Sequence, residues 1–80
     1  MTTSPQRGPL ASIVGATVNF FDRDGVPWRV TELDCGEVPG ARGARCLVFM
    51  SDSVMRRVWN YPADWRLLDA AGLVEVSWRR

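Results

Sequence analysis

The chain has 80 residues, a formal net charge of +1 and 46% hydrophobic side chains, among them four Trp, three Phe and one Tyr. That length holds one domain, the composition excludes a disordered chain, and the near-neutral charge supplies no overall field toward nucleic acid or an anionic membrane. All ten basic residues are Arg, so the chain lacks both His, the commonest general base and metal ligand, and Lys, which Schiff-base and P-loop chemistry require.

Residues 1–9 are polar, with two prolines and a glycine, and read as a tail. Structure is expected to begin between Ser12 and Ala16, which divides the chain into a disordered stretch over 1–12 and one small domain over 13–80. The apolar stretch over 10–18 is too short to span a bilayer and carries a weak signal-peptide pattern, so a cytoplasmic location is expected.

Over 16–33, the turn signal Asp22-Arg23-Asp24-Gly25 sits between two alternating arms, which predicts a β-hairpin. A two-residue loop at Asp24-Gly25 would set Phe20 opposite Arg29 and mix the faces. A three-residue loop at Arg23-Asp24-Gly25 pairs Phe20 with Trp28, Val18 with Val30 and Asn19 with Arg29, keeping one face apolar. It also gives Gly25 the left-handed position of a type I turn with a G1 bulge. Pro27 has no backbone donor and belongs at an edge or a bulge.

Residues 36–45 are rich in Gly and Pro and predict a loop. The run over 45–51 is apolar on both faces, as a central strand is. Ser51-Asp52-Ser53 supplies a turn, and 55–61 should return as a strand. Its register stays open, because each alternative leaves one Arg on an otherwise apolar face. Pro62 ends the strand. Asp69 is a candidate N-cap for a helix from Ala70, with Leu67, Ala71, Val74 and Trp78 as its apolar stripe. The weak helix formers Gly72, Val74 and Val76 leave a strand over 73–78 as the alternative, with Gly72 then a helix C-cap.

The expected architecture is α+β: a four-stranded antiparallel β-meander of two hairpins, with a C-terminal helix packed on one face. Its core is expected from Val18, Phe20, Trp28, Val30, Leu47, Phe49, Trp65, Leu68 and Val74.

Taken in order, Phe21-Asp22, Asp24-Gly25-Val26-Pro27-Trp28-Arg29-Val30, Leu47-Val48-Phe49-Met50-Ser51, Arg56-Arg57 and Pro62-Ala63-Asp64-Trp65-Arg66-Leu67-Leu68-Asp69 resemble a group of short uncharacterised proteins from GC-rich bacteria. The resemblance covers about residues 20–78 and implies a helix starting at Asp69, although Gly72 departs from its pattern. It implies no activity and no functional residue.

No catalytic, cofactor-binding or metal-ligating set emerges, and the chain is expected not to be an enzyme. Cys35, Cys46, Ser51 and Ser53 have no His or Lys base. Asp22 and Asp24 read as turn formers. Cys35 and Cys46 match neither a CxxC pair nor half a zinc site; Cys46 reads as a core residue, and a disulfide between the two is the minority reading. The expected function is a non-catalytic protein-interaction or regulatory domain, acting on a protein partner or a second copy of itself. Phe21, Met55, Val58, Trp59 and Trp78 are more large apolar groups than one helix covers. The alternative is a single-stranded nucleic-acid-binding module, with Arg42 and Arg45 as a basic loop. Every Trp has an Arg within three positions, but adjacent side chains diverge in strands and helices. Only Arg57 and Trp59 are therefore expected to share a face, in a candidate interaction patch with Arg56 and Tyr61.

Overall fold

The computed structural model describes residues 12–35 and 43–79. They form an α+β domain of five antiparallel strands and one C-terminal helix. The strands are β1 (Ser12–Ile13), β2 (Val18–Phe21), β3 (Pro27–Asp34), β4 (Arg45–Met50) and β5 (Met55–Val58); a 3₁₀ turn (Trp65–Leu67) leads into α1 (Ala70–Ser77). The four-stranded meander is present as β2-β3-β4-β5, and β1 lies end to end with β2 along the same edge of β3. Ser12 pairs with Asp34 in β1, and the rest of the expected tail lies outside the described residues.

The first hairpin has the apolar-face register: Phe20 pairs with Trp28, Val18 with Val30 and Asn19 with Arg29. Gly25 has φ of 79°, and its N–H donates to the Asp22 carbonyl at 3.0 Å, closing the turn. Asp22 Oδ1 accepts from the N–H groups of Asp24 and Val26, both at 2.9 Å. Pro27 opens β3 beyond the end of β4, whose Met50 pairs with Arg29, so its missing donor costs no bond to that strand. β4 is the central strand, buried from Cys46 to Phe49. Ser51 Oγ accepts from the N–H groups of Ser53 and Val54 and shapes the turn into β5.

The open register resolves with Arg56 opposite Phe49 and Arg57 opposite Val48. Arg56 is therefore the Arg on the apolar face. β5 ends at Val58, short of the predicted 61, and the chain turns away so that the Tyr61 hydroxyl reaches Glu32.

The helix starts where expected. Asp69 caps it, accepting from the Gly72 N–H at 2.8 Å, and the helix continues to Ser77. Gly72 is thus in the first turn and is not a C-cap; a Cβ there would lie 3.2 Å from Leu68 Cβ, so a helix-forming residue would crowd Leu68. The buried stripe is Leu73, Val76 and Ser77. The predicted stripe misses at three of its four positions, with Leu67 83% and Trp78 67% exposed, Ala71 exposed and Val74 half-buried. Leu67 belongs to the 3₁₀ turn, whose rise and rotation break the helical period assumed across it.

The core is Val30, Leu47, Phe49, Val58, Trp65, Leu73 and Val76, rimmed by Val18, Phe20, Trp28, Tyr61 and Leu68. Val58, Leu73 and Val76 replace Val74 of the expected set, and Trp65 takes the centre while Trp28 stands at the edge. Cys35, Cys46 and Val48 form a second cluster on the opposite sheet face, covered by Leu33 and Trp59.

Among the described residues, Gly15 and Gly25 hold positive φ with different surroundings. Gly25 has open space where a Cβ would go, whereas at Gly15 (φ 71°) a Cβ would lie 2.7 Å from Arg66 Nη2. Gly25→Ala is expected to cost about 1 kcal/mol from the backbone alone, and Gly15→Ala at least about 2 kcal/mol. Urea unfolding of the two variants measures the difference.

Candidate functional site

One short helix cannot roof a four-row sheet. Eight residues give α1 a length of about 12 Å, and the helix packs against β5. The apolar face over the β2–β3 hairpin is left open as a cleft of about 620 Å³. Phe20, Trp28 and Arg56 form its floor. Ala70, Ala71, Val74, Ser77 and Trp78 form one wall, and Phe21 and the turn 22–24 form the other.

Each floor residue is fixed by the strand register. Phe20 and Trp28 are cross-strand partners whose rings stack, with centroids 6.5 Å apart and planes 12° from parallel. The Trp28 indole N–H donates to Asp22 Oδ2 at 2.9 Å, so the hairpin turn also orients the ring. That bond, followed by the backbone N–H of Val26, holds the Asp22 carboxyl below the ordinary carboxylate value.

Arg56 lies between two indoles. Its guanidinium carbon is 3.9 Å from the Trp78 ring centroid and 5.3 Å from that of Trp28. Each such contact contributes about 0.5–2 kcal/mol, rising with desolvation. Arg56 Nη1 also donates to Ser77 Oγ at 3.3 Å, and the Ser77 hydroxyl donates to the Val74 carbonyl at 2.6 Å. Among the described residues, Arg56 has no carboxylate partner. A guanidinium offers five N–H donors, and among the described residues the Arg56 group has one bonded acceptor, Ser77 Oγ.

The candidate patch drawn from the sequence is divided by the sheet. Arg56 and Tyr61 are on the helix face; Arg57 and Trp59 are on the other, where Trp59 packs on the cysteine cluster. Of the candidate basic loop, Arg45 is exposed at the start of β4, and Arg42 lies outside the described residues. The two large contributors that sequence reasoning left out of the patch are Trp28 and Trp78. The signal for them was present: an Arg forced onto an apolar face needs aromatic neighbours to lie on.

A second Trp–Arg stack contradicts the expectation that sequence neighbours stay apart. The Arg66 guanidinium lies 4.4 Å from the Trp65 ring centroid. Neither strand nor α-helix geometry applies in the 3₁₀ turn, and the long Arg66 side chain folds back because three acceptors hold its head. These are Glu32 Oε1 at 3.3 Å, the Val14 carbonyl at 2.7 Å and the Ala16 carbonyl at 3.2 Å. This stack is structural, closing the break between β1 and β2.

No helix among the described residues is long and apolar enough to cross a membrane. No protein-family model, no curated protein and no solved structure matches the chain.

Proposed function

We propose that the chain is a non-catalytic interaction domain that holds a segment of a partner protein in the cleft between the β2–β3 hairpin and α1. Arg56 carries the reading: it is a half-buried cation lying on two indoles, with no carboxylate partner among the described residues, at the floor of an apolar cleft. Such a site suits an apolar segment bearing a carboxylate, because the guanidinium fork meets a carboxylate bidentately while the rings take the apolar side chain. Trp and Arg are also the residues that dominate binding energy at protein interfaces. Trp78, 67% exposed, extends the apolar surface along the α1 wall.

The test is selection from a peptide-display library, followed by NMR of the indole N–H signals. The expected result is enrichment of peptides combining an aromatic or aliphatic residue with Asp or Glu. The Trp28 and Trp78 signals should shift while that of buried Trp65 stays in place. Arg56→Ala should weaken binding about tenfold or more with the fold retained. Peptides that lack a carboxylate and bind the Arg56→Ala variant equally well would refute the role of Arg56. Tight binding of single-stranded oligonucleotides, falling steeply with salt, would replace this reading with nucleic-acid recognition.

A further inference from the structure

Cys35 and Cys46 meet on the sheet face opposite α1. Cys46 pairs with Leu33 in the β3–β4 ladder, and the Cys35 N–H extends that ladder to the Ala44 carbonyl at 2.6 Å. Cys35 is therefore two positions beyond the partner of Cys46 on the same face, a diagonal pair. Both are free thiols, both are buried, and their Sγ atoms are 3.0 Å apart. A disulfide bond is about 2.05 Å long, so closure needs an approach of about 1 Å. The surroundings are apolar, with Leu33, Val48 and Trp59 packed around the pair. Packing alone needs only one small side chain at each position and gives no reason for two sulfurs in contact.

We propose that Cys35 and Cys46 are a redox modification site, a dithiol that closes to an intramolecular disulfide with a small peroxide as oxidant. The balance is simple. One thiol gives an electron pair to hydrogen peroxide, becoming a sulfenic acid and releasing one water. The second thiol then attacks that sulfur; the S–S bond forms as the S–O bond breaks, and the hydroxyl leaves with the thiol proton as a second water. The peroxide is reduced to two waters, and the two thiols are oxidised to one disulfide. A small oxidant fits a buried pair that a bulky disulfide reagent would not reach. Burial, then the hydrogen bond to Cys35, pushes the Cys46 thiol up to about 12. Little thiolate exists at neutral pH, so closure is slow there and quickens as pH rises.

The product joins the two ends of the β3–β4 connection, since the cysteines are eleven positions apart. Removing freedom from the unfolded chain should raise the melting temperature by about 5 °C or more.

The test treats the full chain with hydrogen peroxide across a range of pH, followed by intact mass, peptide mapping and thiol titration. The expected outcome is a Cys35–Cys46 cross-linked peptide lighter by two hydrogens than its two parts, no free thiol, and a melting temperature that falls back on reduction. Retention of two titratable thiols, oxygen mapped to either cysteine peptide rather than to the exposed Met50 or Met55, or a disulfide-linked dimer would overturn the proposal. The wild-type mapping decides the matter even if a cysteine variant fails to fold. A folded Cys35→Ser variant should gain oxygen at Cys46, as mapped on its peptide, or dimerise through Cys46, and should form no intramolecular cross-link.

Discussion

Trp65→Ala is expected to lower unfolding free energy by about 3–5 kcal/mol, the range for truncating a fully buried large aromatic. Trp65 is fully buried and is the largest of the enclosed side chains, in contact with the cluster built by β3, β4, β5 and α1. An 80-residue domain has a total stability of about 5–10 kcal/mol, so the variant should lose from about a third of it to nearly all. Trp65→Phe should cost much less than its lost area implies. Among the described residues the buried Trp65 indole N–H has no hydrogen-bond partner, and an orphaned donor carries a penalty of about 1–3 kcal/mol that the phenyl ring lacks. Urea titration of both variants gives the comparison. A Trp65→Phe variant as unstable as Trp65→Ala would show that the indole ring fills space that phenyl cannot.

Glu32→Ala is the second large effect, at about 2–3 kcal/mol. The Glu32 side chain is only 9% exposed, and it accepts from the Tyr61 hydroxyl at 2.8 Å and from Arg66 at 3.3 Å. Its removal leaves the hydroxyl without its acceptor and loosens Arg66 from the Val14 and Ala16 carbonyls. The ion pair itself contributes little of this, since Arg66 is one-third exposed. A double-mutant cycle with Tyr61→Phe should return a coupling of about 1 kcal/mol. The same hydroxyl sets an alkaline limit. Burial, then the bond to Glu32, raises the Tyr61 pKa above its ordinary 10.0. The unfolded state therefore ionises first, and this contribution is complete below about pH 10 and lost as pH climbs further. Cys46 adds a loss of the same sign that begins near its ordinary 9.0. Stability measured against pH should decline from about pH 9, and Tyr61→Phe should remove the part that sets in above 10.

Local chemistry was legible in the sequence wherever one pattern dominated. The Asp22–Gly25 turn and the alternation of Val18, Phe20, Trp28 and Val30 determine the first hairpin register, because any slip exposes all four. The Asp69 cap was readable for the same reason: a short acceptor ahead of a helical run has one use. The helix face was not readable: a stripe started at Leu67, which lies in a 3₁₀ turn, carried its phase onto Ala71 and Val74, while the buried face is Leu73, Val76 and Ser77. The site was half legible. Either register had to put one of Arg56 and Arg57 on an apolar face, but which one was open, and the two indoles that meet Arg56 come from β3 and from just past α1, at distances along the chain that no local pattern encodes. The cysteine contact is hidden in the same way, since it depends on the β3–β4 register.

The end-to-end arrangement of β1 and β2 also has a bearing on assembly order. From β2 to β5 every strand pairs with its neighbour in sequence, so the sheet can grow by zipping, and little chain entropy is lost before each contact forms. The Arg66 bonds to Val14 and Ala16 are different: they join residues 52 and 50 positions apart. Such contacts form late, after the meander has condensed, and interactions absent from the folding barrier act mainly by slowing escape from the native state. The short N-terminal edge is therefore a latch, which sets how long the molecule stays folded more than how fast it folds.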